Sequence, residues 1–149
     1  MKAAIQHEEP VHGDKATGVL PFGLDDDLES RLELLPVQQL TTDTYEICAI
    51  PFFLYEVMLG DVLRVEDLEN RRYRVLHSSE YFGFRLHLDC RGPRRNRILR
   101  MIRRRGYLFE RISAHGLSVA VAGVSEADAF AKRLLRKERR GWLEYETIR

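Results

Sequence analysis

Phe82-Gly83-Phe84-Arg85-Leu86-His87-Leu88-Asp89-Cys90 alternates apolar and polar side chains almost without a break. With a side-chain period of two, Phe82, Phe84, Leu86, Leu88 and Cys90 share one face of a strand; Gly83, Arg85, His87 and Asp89 share the other. Gly92-Pro93 then ends the strand and opens a helix, because proline suits a first helical turn. Ile98, Leu99, Met101 and Ile102 give that helix an apolar stripe, and Gly106 supplies a left-handed end. Residues 107–113 and 117–124 read as a hairpin around Ala114-His115-Gly116. Ser125-Glu126-Ala127-Asp128 reads as a capping box with Asp in the usual place of Glu or Gln. Ala127, Phe130, Ala131, Leu134 and Leu135 follow at helical spacing, Gly141 closes the helix, and residues 142–148 form a last strand. Strand-helix-strand-strand-helix-strand is the ferredoxin-like order, with both helices on one face of the sheet. Residues 81–149 are therefore predicted to be a ferredoxin-like α+β unit.

Upstream, residues 29–80 read as a small β module. Residues 31–37, 44–49, 62–65 and 73–77 are strand candidates, the last two joined by a turn at Glu69-Asn70. Pro51 stops the second strand, and Gly60-Asp61 reads as a turn before the third. Short strands around an apolar connection predict a barrel-like sheet. Residues 1–28, polar and punctuated by Pro10, Gly13, Gly18, Pro21 and Gly23, show no period and are expected to be a tail, flexible or draped over the surface.

The net charge of +1 conceals a polarity. Residues 1–80 hold 7 Lys and Arg against 16 Asp and Glu; residues 81–149 hold 17 against 7. Such asymmetry points to a partner of opposite sign, or to mutual neutralisation of the two parts. The basic excess lies on the outward positions of the two helices: Arg97, Arg100, Arg103 and Arg104 on the first, Lys132, Arg133, Arg136 and Arg140 on the second. Side by side, these make one cationic surface suited to an acidic protein or to phosphates. A solvated helix exterior is the plain alternative, and the acidic run of Asp25, Asp26, Asp27 and Glu29 is a candidate internal partner. RNA recognition on the sheet fails, because the outward positions Arg85, His87, Asp89, Ser118, Ala120 and Ala122 offer no aromatic platform for bases.

Catalytic signatures are absent from the sequence. It has no Gly-rich phosphate loop and no G-x-S-x-G elbow. His87 and Asp89 share a strand face but Cys90 points away, so no metal or other cofactor is expected. Cys48 and Cys90 fall inside predicted strands, which favours buried thiols over a disulfide. The first ten residues carry no apolar run of the kind a secretory signal uses, and the apolar stretch 49–60 is too short to span a bilayer. A cytoplasmic location without a membrane partner is expected.

The most distinctive stretch runs from Ile50 to Val62. Phe52, Phe53, Tyr55, Val57 and Met58 are too many apolar groups for a plain surface turn; they plug a core, line a pocket or meet a partner. Ile50-Pro51-Phe52-Phe53, then Tyr55, then Gly60-Asp61-Val62 resembles the signature of a bacterial family, domain of unknown function 4265, whose members commonly read IPFFAYGxxxGDVV here. Leu54 and Glu56 replace the Ala and Gly of that pattern, which questions any Gly-dependent backbone shape at residue 56. The resemblance spans residues 31–146 and implies an architecture, a small β unit joined to a ferredoxin-like part, without an activity. The expected function is a non-enzymatic protein-binding factor, of immunity, antitoxin-like or regulatory kind. It would dock an acidic protein surface through the basic helices or through the loop of Pro51, Phe52, Phe53, Tyr55, Gly60 and Asp61. Nucleic-acid binding through the arginines, and small-molecule sensing in a pocket between the two parts, are the alternatives.

Overall fold

A computed structural model of the chain describes residues 4–24 and 31–148. The chain divides into two compact units, Met1–Ser79 and Glu80–Arg149.

The described residues of the first unit form one sheet of six strands: β1 (Ala4–Gln6), β2 (Gly18–Gly23), β3 (Leu32–Gln39), β4 (Thr44–Ile47), β5 (Val62–Asp67) and β6 (Arg72–His77). β3 is its spine. β2 runs antiparallel along one edge of it, while β1, parallel, and β4, antiparallel, follow one another along the other. Two sequence expectations are corrected here. Residues 4–24 are not simply a tail, because β1 and β2 belong to the sheet. Leu20 and Phe22 alternate inward from β2 onto Leu35, Val37, Ile47 and Leu63, and Pro21 is tolerated because β2 pairs only with β3 among the described residues. The sheet is also not a closed barrel: its hydrogen-bonded path ends at β6. Side chains bring β6 and β2 together instead. The Tyr73 hydroxyl on β6 donates to the Pro21 carbonyl at 2.5 Å, and its ring lies 4.6 Å from that of Phe22.

The second unit comprises β7 (Tyr81–Leu88), α1 (Pro93–Arg104), β8 (Leu108–Arg111), β9 (Gly116–Ala122), α2 (Val124–Arg139) and β10 (Leu143–Thr147). Its sheet has the order β10-β7-β9-β8 and is antiparallel throughout. Phe84 pairs with Val119 and Leu86 with Leu117, so the alternating apolar sets of β7 and β9 fall on one face. Onto that face pack Ile98, Leu99 and Ile102 of α1 and Ala127, Phe130 and Leu134 of α2. Phe130 sits edge-on to Phe84 and Tyr107, each ring 5.0 Å away. Each buried Ile, Leu or Phe side chain of this set contributes about 1.5–3 kcal/mol by leaving water.

The helix ends follow glycine geometry. α1 has Pro93 in its first turn and Gly106 at φ 71° just beyond its end. The expected capping box does not form: α2 starts at Val124 after Gly123 at φ 87°, and no side chain caps it. Ser125 already lies inside the first turn, too late to serve as the cap.

Burial pushes the Tyr73 phenol up to about 12, with Arg71 opposing. A raised folded-state value favours the protonated phenol, so its contribution is complete below pH 10 and is lost as the pH climbs towards 12. An ultraviolet titration of wild type against Tyr73→Phe should show one phenol ionising about two units late. The variant should lose about 1 kcal/mol at neutral pH and show a weaker decline in stability between pH 10 and 12.

Candidate functional site

The two helices present a cationic layer. Arg97, Arg100 and Arg104 recur at i, i+3 and i+7 on α1, opposite its buried Ile98 and Ile102. Together with Met101, Arg105 and, from α2, Glu126 and Arg133, they line an open cleft of about 710 Å³. Of the eight basic residues singled out in the sequence, Arg97, Arg100, Arg104 and Arg133 thus converge. Arg103 instead lies over the Phe109 ring at 5.6 Å, and Arg140 over Trp142 at 5.8 Å. Lys132 and Arg136 are exposed outside the cleft. Among the described residues, Arg97, Arg100, Arg104 and Arg133 form no ion pair.

The layer is braced by a residue that the sequence reading passed over. Trp142, 8% exposed, has four cations within 6 Å of its ring: Arg94 at 5.4 Å, Arg97 at 5.9 Å, Arg140 at 5.8 Å and Lys137 at 5.1 Å. Its negative π-face offsets part of the repulsion among them, about 0.5–1 kcal/mol for each exposed contact. Repulsion remains: Lys137 is held below the usual lysine range, first by burial and then by Arg140, Arg97 and Arg133. At the other end of the cleft, the Tyr107 hydroxyl donates to Glu126 Oε2 at 2.7 Å. The Tyr107 phenol is pushed up by burial first and by Glu126 second.

The 50–62 segment is mostly internal. Ile50, Pro51, Phe52, Val57, Met58 and Leu59 are buried, whereas Phe53 is 37% and Tyr55 52% exposed. Two buried carboxylates pin the segment. Glu33, wholly buried on β3, accepts from the backbone N–H of Phe52 (2.8 Å to Oε2) and of Phe53 (2.9 Å to Oε1). His7 Nε2 lies 2.7 Å from the same Oε2, and the His7 ring stacks on Phe52 at 3.8 Å. Asp61, also wholly buried, accepts from the N–H of Met58 (3.1 Å) and of Ser79 (2.8 Å). Gly60 takes φ 84°, and its N–H donates to the Ile47 carbonyl. Arg71 is the one non-glycine with positive φ among the described residues, so Leu54 and Glu56 keep ordinary backbones. Phe53, Tyr55 and Val57 border a smaller cavity, about 260 Å³, with Phe22, Leu24, Tyr73 and Val75. The sequence reading missed Glu33 and His7. For Glu33 the signal was present: a lone carboxylate two and four residues before Leu35 and Val37 shares their inward face.

Elsewhere, His87 Nε2 lies 3.2 Å from Asp89 Oδ1 and its ring 6.0 Å from His115, while Cys90 points into the core of the second unit. Among the described residues, no three His, Cys, Asp or Glu side chains are grouped to hold a metal ion. Both cysteines are free and buried, and burial is the first cause pushing the Cys48 thiol up. No helix of the described residues is long and apolar enough to cross a membrane. The run of Asp25, Asp26, Asp27 and Glu29, named above as a possible internal partner, lies outside the described residues.

These features define a mixed α+β protein, with two sheets and two helices among the described residues and strand predominating. The family model described as "Domain of unknown function (DUF4265)" matches residues 33–145, and the chain belongs to that family. A crystal structure of a hypothetical protein from Neisseria gonorrhoeae is similar in fold, with TM-score 0.65 and 19% identity over 89% of this chain and 92% of that one. No curated protein matches the sequence.

Replacing Glu33 by Ala should cost about 3–5 kcal/mol in urea denaturation, because it removes at once the shared acceptor of the Phe52 and Phe53 N–H groups and the carboxylate beside His7. His7→Ala, which leaves the carboxylate its two backbone donors, should cost about 1–3 kcal/mol.

Proposed function

We propose that the protein is a non-enzymatic binding factor that docks an acidic surface of a partner protein on its α1–α2 layer, as an immunity or antitoxin-like factor or a regulatory subunit does. The observation that carries this reading is the convergence of Arg97, Arg100, Arg104 and Arg133 on one open cleft, with no ion pair to any of them among the described residues. Guanidinium groups are forked donors matched to carboxylates, and a cleft that gathers several concentrates their field. The inward turn of most of the 50–62 segment favours the helix layer over that loop as the docking surface.

We read the Glu80–Arg149 unit as ferredoxin-like. Its strand order β10-β7-β9-β8, with α1 following the first strand and α2 the third, supports that reading. In this arrangement the helix layer is one face of the unit and the open sheet face the other. The sheet face carries Arg85 paired with Glu146 at 2.6 Å, and no aromatic pair on β7 and β9 for bases to stack on. A cytoplasmic setting suits two free, buried thiols.

A second reading, nucleic-acid binding, draws on the same arginines. Glu126 in the cleft weighs against it, because a continuous polyanion would bring a phosphate beside a carboxylate. Affinity capture from the native host, comparing wild type with the double variant Arg97→Glu/Arg104→Glu, separates the cases. A stoichiometric protein should be held by wild type and lost from the variant, in a salt-sensitive way, with the circular dichroism of the two unchanged. Capture that ignores the charge reversal would move the interface off the helices. Tight oligonucleotide binding in anisotropy titrations, falling steeply with salt, would favour the second reading.

A further inference from the structure

We infer that the element of the partner seated in the α1–α2 cleft is an acidic α-helix, a conclusion that rests on the docking reading above and specifies its ligand. Arg97, Arg100 and Arg104 stand one turn apart along α1, so their bases repeat about every 5 Å over a stripe of about 10 Å. Carboxylates at i, i+3 or i+4, and i+7 of a second helix repeat with the same rise. A helix laid along the cleft therefore meets each guanidinium in register.

The far wall gives the ligand a direction. Lys137 of α2 feels Arg97 of α1, and both lie over Trp142. Glu126, in the first turn of α2, lines the cleft with Arg104 and Arg105 at the end of α1. The two helices thus run antiparallel, and the cleft is cationic along Arg97, Arg100 and Arg133 but mixed in sign where Glu126 enters. A helix can follow that change, ending its acidic stripe with a lysine or arginine opposite Glu126. A phosphate backbone carries the same charge at every step and cannot. Met101, half-buried among the arginines, adds an apolar strip for a leucine placed between the carboxylates.

The test uses the full chain and three probes in fluorescence anisotropy, at low and at physiological salt. One is an alanine-rich helical peptide of about 20 residues carrying the glutamate stripe, a leucine within it and a lysine one turn beyond. The second has the same composition with the glutamates scattered around the wheel. The third is a single-stranded oligothymidylate of equal net charge. The inference predicts that the striped peptide binds about tenfold or more tighter than its scattered isomer. Arg100→Glu should remove that preference, and Arg100→Gln, which only neutralises an exposed position, should reduce it. Equal binding of the two peptides overturns the helix inference and leaves docking of an acidic protein surface intact, whereas tighter binding of the oligonucleotide overturns the helix inference in favour of the nucleic-acid reading. No binding of any probe at low salt overturns both.

Discussion

The Glu33 carboxylate is the constraint on which the first unit depends. An ionised carboxylate taken wholly out of water costs several kcal/mol unless its oxygens are satisfied. Here two backbone N–H groups and the His7 ring converge on it, and they come from segments distant in sequence. Residues after β1, the start of β3 and the start of the 50–62 segment are thereby fixed to one point. The stack of His7 on Phe52 closes the arrangement with an aromatic contact. Asp61 repeats the logic at the other end of the segment, tying Met58 and Ser79. Between the two carboxylates the chain has little freedom, which is why an irregular stretch can bury Ile50, Phe52, Val57, Met58 and Leu59.

The two units use charge in opposite ways. The first spends its buried carboxylates on its own backbone. The second leaves its arginines on the outside of α1 and α2 and holds part of the layer against a single tryptophan. That geometry is unfavourable by itself: α1 has no acidic residue in its first turn, where its dipole would welcome one, and Lys137 sits among cations. A surface that carries repulsion of this kind gains free energy when an anion arrives, which is the physical content of the docking proposal.

Much of the second unit was legible in the sequence, because its signals are periodic and local. The alternation from Phe82 to Leu88, the apolar stripes of both helices and the glycines after them each specify an element without help from elsewhere. The start of α2 was misread: the Gly123 backbone, not a Ser125 side chain, sets it. β1 and β2 were missed for a different reason. Ala4–Gln6 is a strand only because β3 offers an edge, and Gly18, Pro21 and Gly23 hide the two inward residues that make Gly18–Gly23 one. The exposure of the arginines followed from a helical wheel. Their convergence on one cleft, and the part played by Trp142, depend on how α1, α2 and the chain leading into β10 pack, which no local pattern encodes.

The claim that the 50–62 segment is held from within is tested most directly by amide hydrogen exchange at Phe52 and Phe53, followed by NMR. Donation to a buried carboxylate predicts protection comparable with the Leu35 and Val37 amides of β3. Exchange of both amides at the rate of an unstructured peptide, while β3 stays protected, would contradict it.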